Sequence, residues 1–114
     1  ELIVKMQSSL LARRHDAEKN QDTYYTCEDA EFSEVIKENV TTFLQKQGIE
    51  LATETFQVTP VKGKKVVVRC FGRFCDGSIG IFRITGSKEL LNLLYAAGIG
   101  ARRSEGHGLW TILG

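Results

Sequence analysis

The stretch VVVRCFGRFCDGSIGIFRITGSKELLNLLYAAG, residues 66–98, decides the fold. Residues 66–74 and 79–84 are rich in the β-branched and aromatic side chains that favour strands. The Asp76-Gly77 dipeptide between them is typical of a tight turn. The two runs therefore predict a β-hairpin that turns at this dipeptide.

A helix is predicted directly after this hairpin. Ser87 is suited to cap its N-terminus, and Gly98 is suited to end it. Its buried face would consist of four leucines: Leu90, Leu91, Leu93 and Leu94. The stretch thus predicts a unit of two strands followed by a helix.

The flanking sequence adds a second helix and the remaining strands. Six apolar residues recur at helical spacing: Phe32, Val35, Ile36, Val40, Phe43 and Leu44. Residues 2–6 and 109–113 are strand-like, and the run ending at Pro60 favours an edge strand, where proline is tolerated. The order strand, helix, strand, strand, helix, strand predicts an α+β fold. That fold is ferredoxin-like (RRM-like), βαββαβ, with a four-stranded antiparallel sheet and two helices.

Length and charge set limits on the function. The 114 residues suit a single domain. The net charge of +1 does not by itself predict a polyanionic partner, although the basic residues are clustered along the chain. The chain begins with Glu1 and not with methionine, and it is strand-like from the start. We therefore expect either that an expression tag was trimmed or that an upstream segment is missing.

The three cysteines and the apolar segments indicate the environment of the protein. Cys27, Cys70 and Cys75 have no metal-ligand spacing, so no metal site and no cofactor is expected. We expect all three to be reduced thiols, in keeping with a cytoplasmic protein. No segment resembles a membrane span or a secretory signal.

Residues 7–30 are long, polar and without a helical or strand period. This stretch contains Arg13, Arg14, His15 and Lys19. A connection of this length in a small domain is usually functional or disordered, so a functional or disordered basic loop is predicted here.

A second candidate site is the glycine-rich segment 98–108, GIGARRSEGHG. Glycine allows positive φ and close backbone approach, and successive N–H groups can form an anion-binding nest. Arg102 and Arg103 add guanidinium groups that match phosphate geometry. The alternative is a plain turn between a helix and a strand, for which four glycines and paired arginines are more than is needed. The segment lacks the Lys-Ser/Thr ending of a nucleotide-triphosphate loop.

The spacing Gly-Ile-Gly, five residues, Gly-His-Gly resembles the C-terminal glycine-rich motif of the repeat-associated RNA-binding superfamily of CRISPR systems. Within that superfamily the chain is similar to the C-terminal half of the repeat-processing endoribonucleases, the Cas-six family. Residues 6–13, 20–32 and 86–98 resemble further family segments, so the resemblance covers nearly the whole chain. The chain departs from the family pattern at His107, where a Phe is usual, and at Ser8-Ser9, where Ser-Pro is usual.

The resemblance implies a CRISPR repeat RNA endoribonuclease that works without metal. The 2′-hydroxyl of the RNA would attack the scissile phosphate and leave a cyclic phosphate. The usual catalytic histidine lies in an N-terminal domain of the family, so residues 1–114 are expected to form a single domain, the C-terminal half of a two-domain protein. The implied partners are CRISPR repeat RNA, the N-terminal domain, other effector subunits or a second copy in a homodimer, and no membrane.

The candidate RNA-binding residues come from the two basic segments: Arg13, Arg14, Lys19, Gly98, Gly100, Arg102, Arg103, Ser104, Gly106, His107 and Gly108. His15, and after it His107, are candidates for proton transfer, since imidazole titrates near neutral pH. The alternatives are a solvated loop histidine for His15 and a packing role for His107. Tyr24, Tyr25 and Phe74 are suited to stack on bases, or to pack in the core.

A different class of function stays open on the sequence. The chain could be a non-catalytic ferredoxin-like module, either an RNA-binding subunit or a small-molecule regulatory domain. A small-molecule regulatory domain would not need Arg102 and Arg103, whereas an RNA-binding subunit would use both arginines.

Overall fold

The structure, a computed structural model, describes residues 1–70, 72–103 and 106–114, with the side chain of Cys70 left out. Two helices and six strands follow one another along the chain. They are β1 (Leu2–Met6), β2 (Ala12–Asp16), β3 (Gln21–Tyr25), α1 (Phe32–Gln47), β4 (Gln57–Cys70), β5 (Arg73–Thr85), α2 (Lys88–Ala97) and β6 (Trp110–Ile112).

The main sheet has four strands in the order β4-β5-β1-β6, and each neighbouring pair is antiparallel. Leaving aside the separate β2–β3 sheet, the elements follow the order βαββαβ. The predicted ferredoxin-like fold is therefore confirmed. The core joins the sheet to both helices, because Val4 and Phe82 of the sheet belong to one buried cluster with Ile36 of α1 and Leu90 of α2.

Helix α1 buries the stripe that its spacing predicts, with Phe32, Val35, Ile36, Val40 and Leu44 all in the core. The helix ends at Gly48, which has a φ of +67° and donates its N–H to the last turn. The left-handed conformation at this position favours glycine.

Helix α2 begins as predicted, because the Ser87 hydroxyl accepts a hydrogen bond of 3.2 Å from the Leu90 N–H. Its C-terminal end is tied to β6. Trp110 donates its indole N–H to the Leu94 carbonyl at 3.0 Å, and its ring meets the Tyr95 ring edge-on at 5.3 Å.

The predicted turn at Asp76-Gly77 is wrong. Both residues lie inside the β4–β5 ladder, opposite Val67 and Val66, and the turn falls between Cys70 and Arg73. Gly72, with a φ of +75°, supplies the conformation that a turn needs. Gly77 marks a close contact instead, since a Cβ there would lie 2.6 Å from Leu11 Cδ2. The run ending at Pro60 does lie on an edge strand, as predicted. It is not a separate strand, however, because it continues into the first predicted strand of the hairpin within β4, with a register shift between Pro60 and Lys62.

The prediction that residues 7–30 lack regular structure is also wrong. Strands β2 and β3 form a two-stranded antiparallel sheet in which His15 lies opposite Asp22. Polar side chains dominate both strands, so the hydrophobic alternation that identifies a half-buried strand is missing.

The thiol prediction fails for one cysteine. Cys75 is disulfide-bonded, whereas Cys27 is a free thiol. The prediction for the thiol of Cys70 falls on a side chain outside the described residues. Within the described residues, no helix is long and apolar enough to cross a membrane.

Candidate nucleic-acid interface

A groove of about 1240 Å³ lies between the β2–β3 hairpin, helix α1, the start of β5 and residues 100–103. Two of its walls come from the two basic segments of the sequence. Helix α1 supplies a third, through Asn39, Phe43 and Lys46.

Positive charge is concentrated in this groove. The lining contains two acids, Asp22 and Glu38. It contains six cations: Arg13, Arg14, Lys46, Arg73, Arg102 and Arg103. The whole chain carries a net charge of only +1. The positive charge is therefore concentrated in the groove and is not spread evenly over the molecule. Such a cleft attracts an anionic ligand.

Asp22 organises the hairpin side of the groove. Its carboxylate lies 2.7 Å from His15 Nδ1, 3.6 Å from an Arg13 nitrogen and 3.4 Å from an Arg102 nitrogen. The hydrogen bond with His15, followed by the charges of Arg13 and Arg102, holds the pKa of Asp22 below its ordinary value. The carboxylate therefore stays charged and keeps the three side chains together.

Arg102 connects the glycine-rich segment to the hairpin. Besides its contact with Asp22, its Nε donates a hydrogen bond of 3.1 Å to the Tyr24 hydroxyl. Its φ of +58° is unusual for a residue with a side chain. The backbone conformation and the two contacts together place this guanidinium at the junction of two walls.

Arg14 and Arg13 are tied to helix α1. Arg14 makes a bidentate pair with Glu38, with distances of 3.1 and 2.6 Å, and this pairing raises the pKa of the guanidinium. The Arg13 backbone is held by Asn39, whose amide donates to the Arg13 carbonyl at 2.7 Å and accepts from its N–H at 3.0 Å. These contacts fix the hairpin against the helix.

The glycine-rich segment is held by backbone hydrogen bonds. Ala101 N–H donates to the Leu11 carbonyl at 2.8 Å, and Gly108 N–H donates to the Ser9 carbonyl at 2.9 Å. A Cβ on Gly100 would lie 2.4 Å from the Leu11 oxygen, and one on Gly108 would lie 2.0 Å from the Ile99 oxygen. These two glycines are therefore required for close approach between backbones.

The same hydrogen bonds bear on the predicted anion nest. Five N–H groups of the segment already donate to protein carbonyls, those of Gly98, Ile99, Ala101, Gly106 and Gly108. These five N–H groups are therefore used in internal hydrogen bonds and are not free to bind an anion.

Arg103 differs from the other arginines of the groove in its contacts. Its Cζ lies 3.8 Å from the centroid of the Phe43 ring, and its Nε donates to the Gly100 carbonyl at 3.1 Å. Burial lowers the pKa of this guanidinium from its ordinary value.

The predicted site residues fall into two groups. The groove brings together Arg13, Arg14, His15, Gly100, Arg102 and Arg103. It is not lined by Lys19, Gly98, Gly106, His107 or Gly108. Ser104 lies outside the described residues. Of the aromatic candidates, Tyr24 and Phe74 line the groove, and Phe74 is 73% exposed, which rules out a core role.

Sequence reasoning missed Asp22, Asn39, Phe43 and Lys46 as parts of the site. The last three follow one another at i, i+4 and i+7 along α1, next to the buried stripe, so the helical period was the signal that could have placed them together. Asp22 could be found only through the β2–β3 pairing. Among the described residues, no group of three or more metal-ligating side chains comes together.

The fold and the groove define a class of protein, a ferredoxin-like domain with a basic cleft beside its glycine-rich segment. The family model of the C-terminal part of CRISPR-associated protein Cas6 matches residues 1–112. The chain belongs to this family, which confirms the resemblance seen in its motifs.

Solved structures share the fold. A RAMP protein described as binding different RNA substrates superposes with a TM-score of 0.84 at 18% identity, over 99% of this chain and 48% of that one. A Cas6-related protein from Pyrococcus furiosus gives 0.83 at 21% identity, over 98% and 47%. The CRISPR RNA processing endoribonuclease Cas6b gives 0.62 at 22% identity, over 98% and 54%. The chain thus spans about half the length of these proteins. No curated protein sequence matches the chain.

Proposed function

We propose that this chain is the RNA-binding C-terminal domain of an endoribonuclease that processes CRISPR repeat RNA. The observation that carries the proposal is the groove, in which six cations face two carboxylates. Because the chain belongs to the Cas6 C-terminal family, we expect the polyanion in this groove to be RNA.

Arginines on two walls would bind the sugar-phosphate backbone. Arg102 on the glycine-rich segment and Arg13 on β2 both contact Asp22, so their guanidinium groups are positioned before RNA arrives. Guanidinium groups bind phosphate through charge-assisted hydrogen bonds, and each phosphate neutralised releases counterions. Arg14, already paired with Glu38, is expected to contribute less.

Cleavage would use the RNA's own 2′-hydroxyl and no metal. The domain is proposed to act beside an N-terminal domain, since the solved proteins of this fold are about twice as long. In this chain the residue proposed for proton transfer is His15. Its Nδ1 lies 2.7 Å from Asp22, which fixes the ring and reserves Nε2 for the exchange of a proton.

The role of His15 is tested by cleavage of repeat RNA in EDTA. We expect His15→Ala to slow cleavage by about 100-fold, which is the lower range for loss of a general acid or base. RNA affinity should change by less than about threefold, because the six cations of the groove remain in place. Unchanged cleavage would assign proton transfer to another group.

RNA binding is tested with repeat RNA from the array of the same genome. Arg102→Gln keeps most of the side-chain stem but loses the charge, and we expect it to weaken binding about tenfold, as does Arg13→Gln. Lys88→Ala is the matched control, because Lys88 is an exposed cation at the start of α2 and outside the groove. Equal affinities for all four proteins would contradict the proposal.

A further inference from the structure

The guanidinium group of Arg103 lies over an aromatic ring. Its Cζ lies 3.8 Å from the Phe43 centroid, which is the spacing of two stacked planes. An edge-on guanidinium would bring a nitrogen roughly 1.3 Å closer to the ring. That separation would fall inside van der Waals contact, so the face-to-face arrangement is favoured.

Two further contacts fix the plane of the Arg103 guanidinium group. The Arg103 Nε–H donates to the Gly100 carbonyl at 3.1 Å, which stops rotation about the end of the side chain. Phe43 itself packs against the hydrophobic core from the last third of α1. The guanidinium is therefore positioned in advance, and ligand binding would pay little entropy to order it.

Among the described residues, no ion pair accounts for this arrangement. Arg13, Arg14 and Arg102 lie against Asp22 or Glu38, whereas Arg103 contacts no carboxylate within residues 1–70, 72–103 and 106–114. Burial also lowers the pKa of the guanidinium, which is the mark of a partly desolvated cation. The Arg103 guanidinium is positioned by the Phe43 ring and by the Gly100 carbonyl, and it still lines the groove.

A planar cation that lines an RNA groove is suited to stack on a nucleobase. Proteins that read single-stranded RNA place unpaired bases on aromatic rings or on guanidinium planes. We infer that Arg103, backed by Phe43, is a stacking platform for one unpaired nucleobase of the bound RNA. The inference rests on the proposed function and assigns Arg103 a role different from that of Arg102, which would bind phosphate.

If Arg103 is a stacking platform, binding should depend on the planar shape of its guanidinium group and not only on its charge. Every base has a π face, so the subsite is expected to accept any base but to require an unpaired one. Lysine carries the same charge as arginine but has no plane to stack. The two substitutions at the same position therefore separate stacking from simple charge.

The first experiment measures repeat RNA affinity for Arg103→Lys and Arg103→Ala. We expect both to bind about 5- to 100-fold more weakly than the unmodified protein, the range seen for loss of one stacked base. Arg102→Lys is the matched variant, and it should retain more affinity than Arg102→Ala because a phosphate contact needs the charge. Wild-type affinity for Arg103→Lys would overturn the platform.

The second experiment leaves the protein unmodified and removes one base at a time from the RNA. A single abasic position should weaken binding to the wild type, and the same position should cost nothing further in Arg103→Ala. A flat profile in the wild type would overturn the platform even if a substitution at Arg103 disturbed folding. If Arg102→Ala still weakens binding in that case, the proposed RNA-binding function is retained and only the stacking role of Arg103 is rejected. Absence of RNA binding by the wild type would overturn both proposals.

Discussion

The two basic walls of the groove are held in place by different forces. The glycine-rich wall is fixed by backbone hydrogen bonds to residues 9–11 and by contacts in which a single Cβ would overlap a carbonyl. The β2–β3 wall is fixed by charged side chains around Asp22, and His15 there is half exposed. The comparison teaches that shape positions one wall and electrostatics the other. Added side-chain volume should therefore disturb the glycine-rich wall, whereas changes in pH and salt should disturb the β2–β3 wall.

The largest effect is expected from adding a methyl group to the glycine-rich segment that carries the first wall. Gly108→Ala places a Cβ 2.0 Å from the Ile99 oxygen at a φ of +83°, and Gly100→Ala places one 2.4 Å from the Leu11 oxygen at +88°. Each should lower the free energy of unfolding by about 2–4 kcal/mol, from overlap and from the cost of positive φ. Urea denaturation measures the loss.

Gly106→Ala is the matched control for these variants. Gly106 has a φ of +90° in the same segment, but a Cβ there would meet no atom of the described residues within 4 Å. We expect a cost of about 1–2 kcal/mol, from the backbone conformation alone. If all three substitutions cost the same, close approach is not what holds this wall.

A smaller effect is expected from Asp22→Asn on the other wall. The substitution removes the carboxylate that joins Arg13, His15 and Arg102, and it should cost about 1 kcal/mol at neutral pH because these contacts are near the surface. Folding lowers the pKa of Asp22. Its contribution is therefore fully present above the unfolded-state value of about 4 and is lost as the pH falls through the folded-state value.

The pH dependence gives the measurement. The difference in free energy of unfolding between the wild type and Asp22→Asn should be largest above about pH 4 and should shrink below it. A difference that grows as the solution becomes more acidic would mean that the carboxylate is not held in its charged form by these partners.

The sequence predicted the elements that carry a hydrophobic period. Helices α1 and α2 were found because their apolar residues recur at 3.6-residue spacing and meet caps at Ser87, Gly48 and Gly98. Strands β2 and β3 were missed because cross-strand pairs such as His15 with Asp22 stabilise them without an apolar face. The turn was misplaced because Gly77 is needed for contact with Leu11 and not for a turn.

The candidate site was predicted only in part. Arg13, Arg14, His15, Arg102 and Arg103 were identified because they are clustered in sequence. The residues that position them were not, because Asp22, Glu38 and Phe43 are brought to them by tertiary folding. The glycines were predicted to bind anions through their N–H groups. The structure instead uses the described N–H groups of Gly98, Gly106 and Gly108 in internal hydrogen bonds.

The salt dependence of repeat RNA binding tests the central claim most directly. In the wild type, the logarithm of the binding constant should fall linearly with the logarithm of the salt concentration, by about 0.7 per phosphate contact for a single strand. The double variant Arg13→Gln/Arg102→Gln should reduce this slope by about 1.4, the share of two contacts, while Lys88→Ala leaves it unchanged. A binding constant that does not change with salt, or one slope shared by all three proteins, would contradict the claim that this groove holds the RNA backbone.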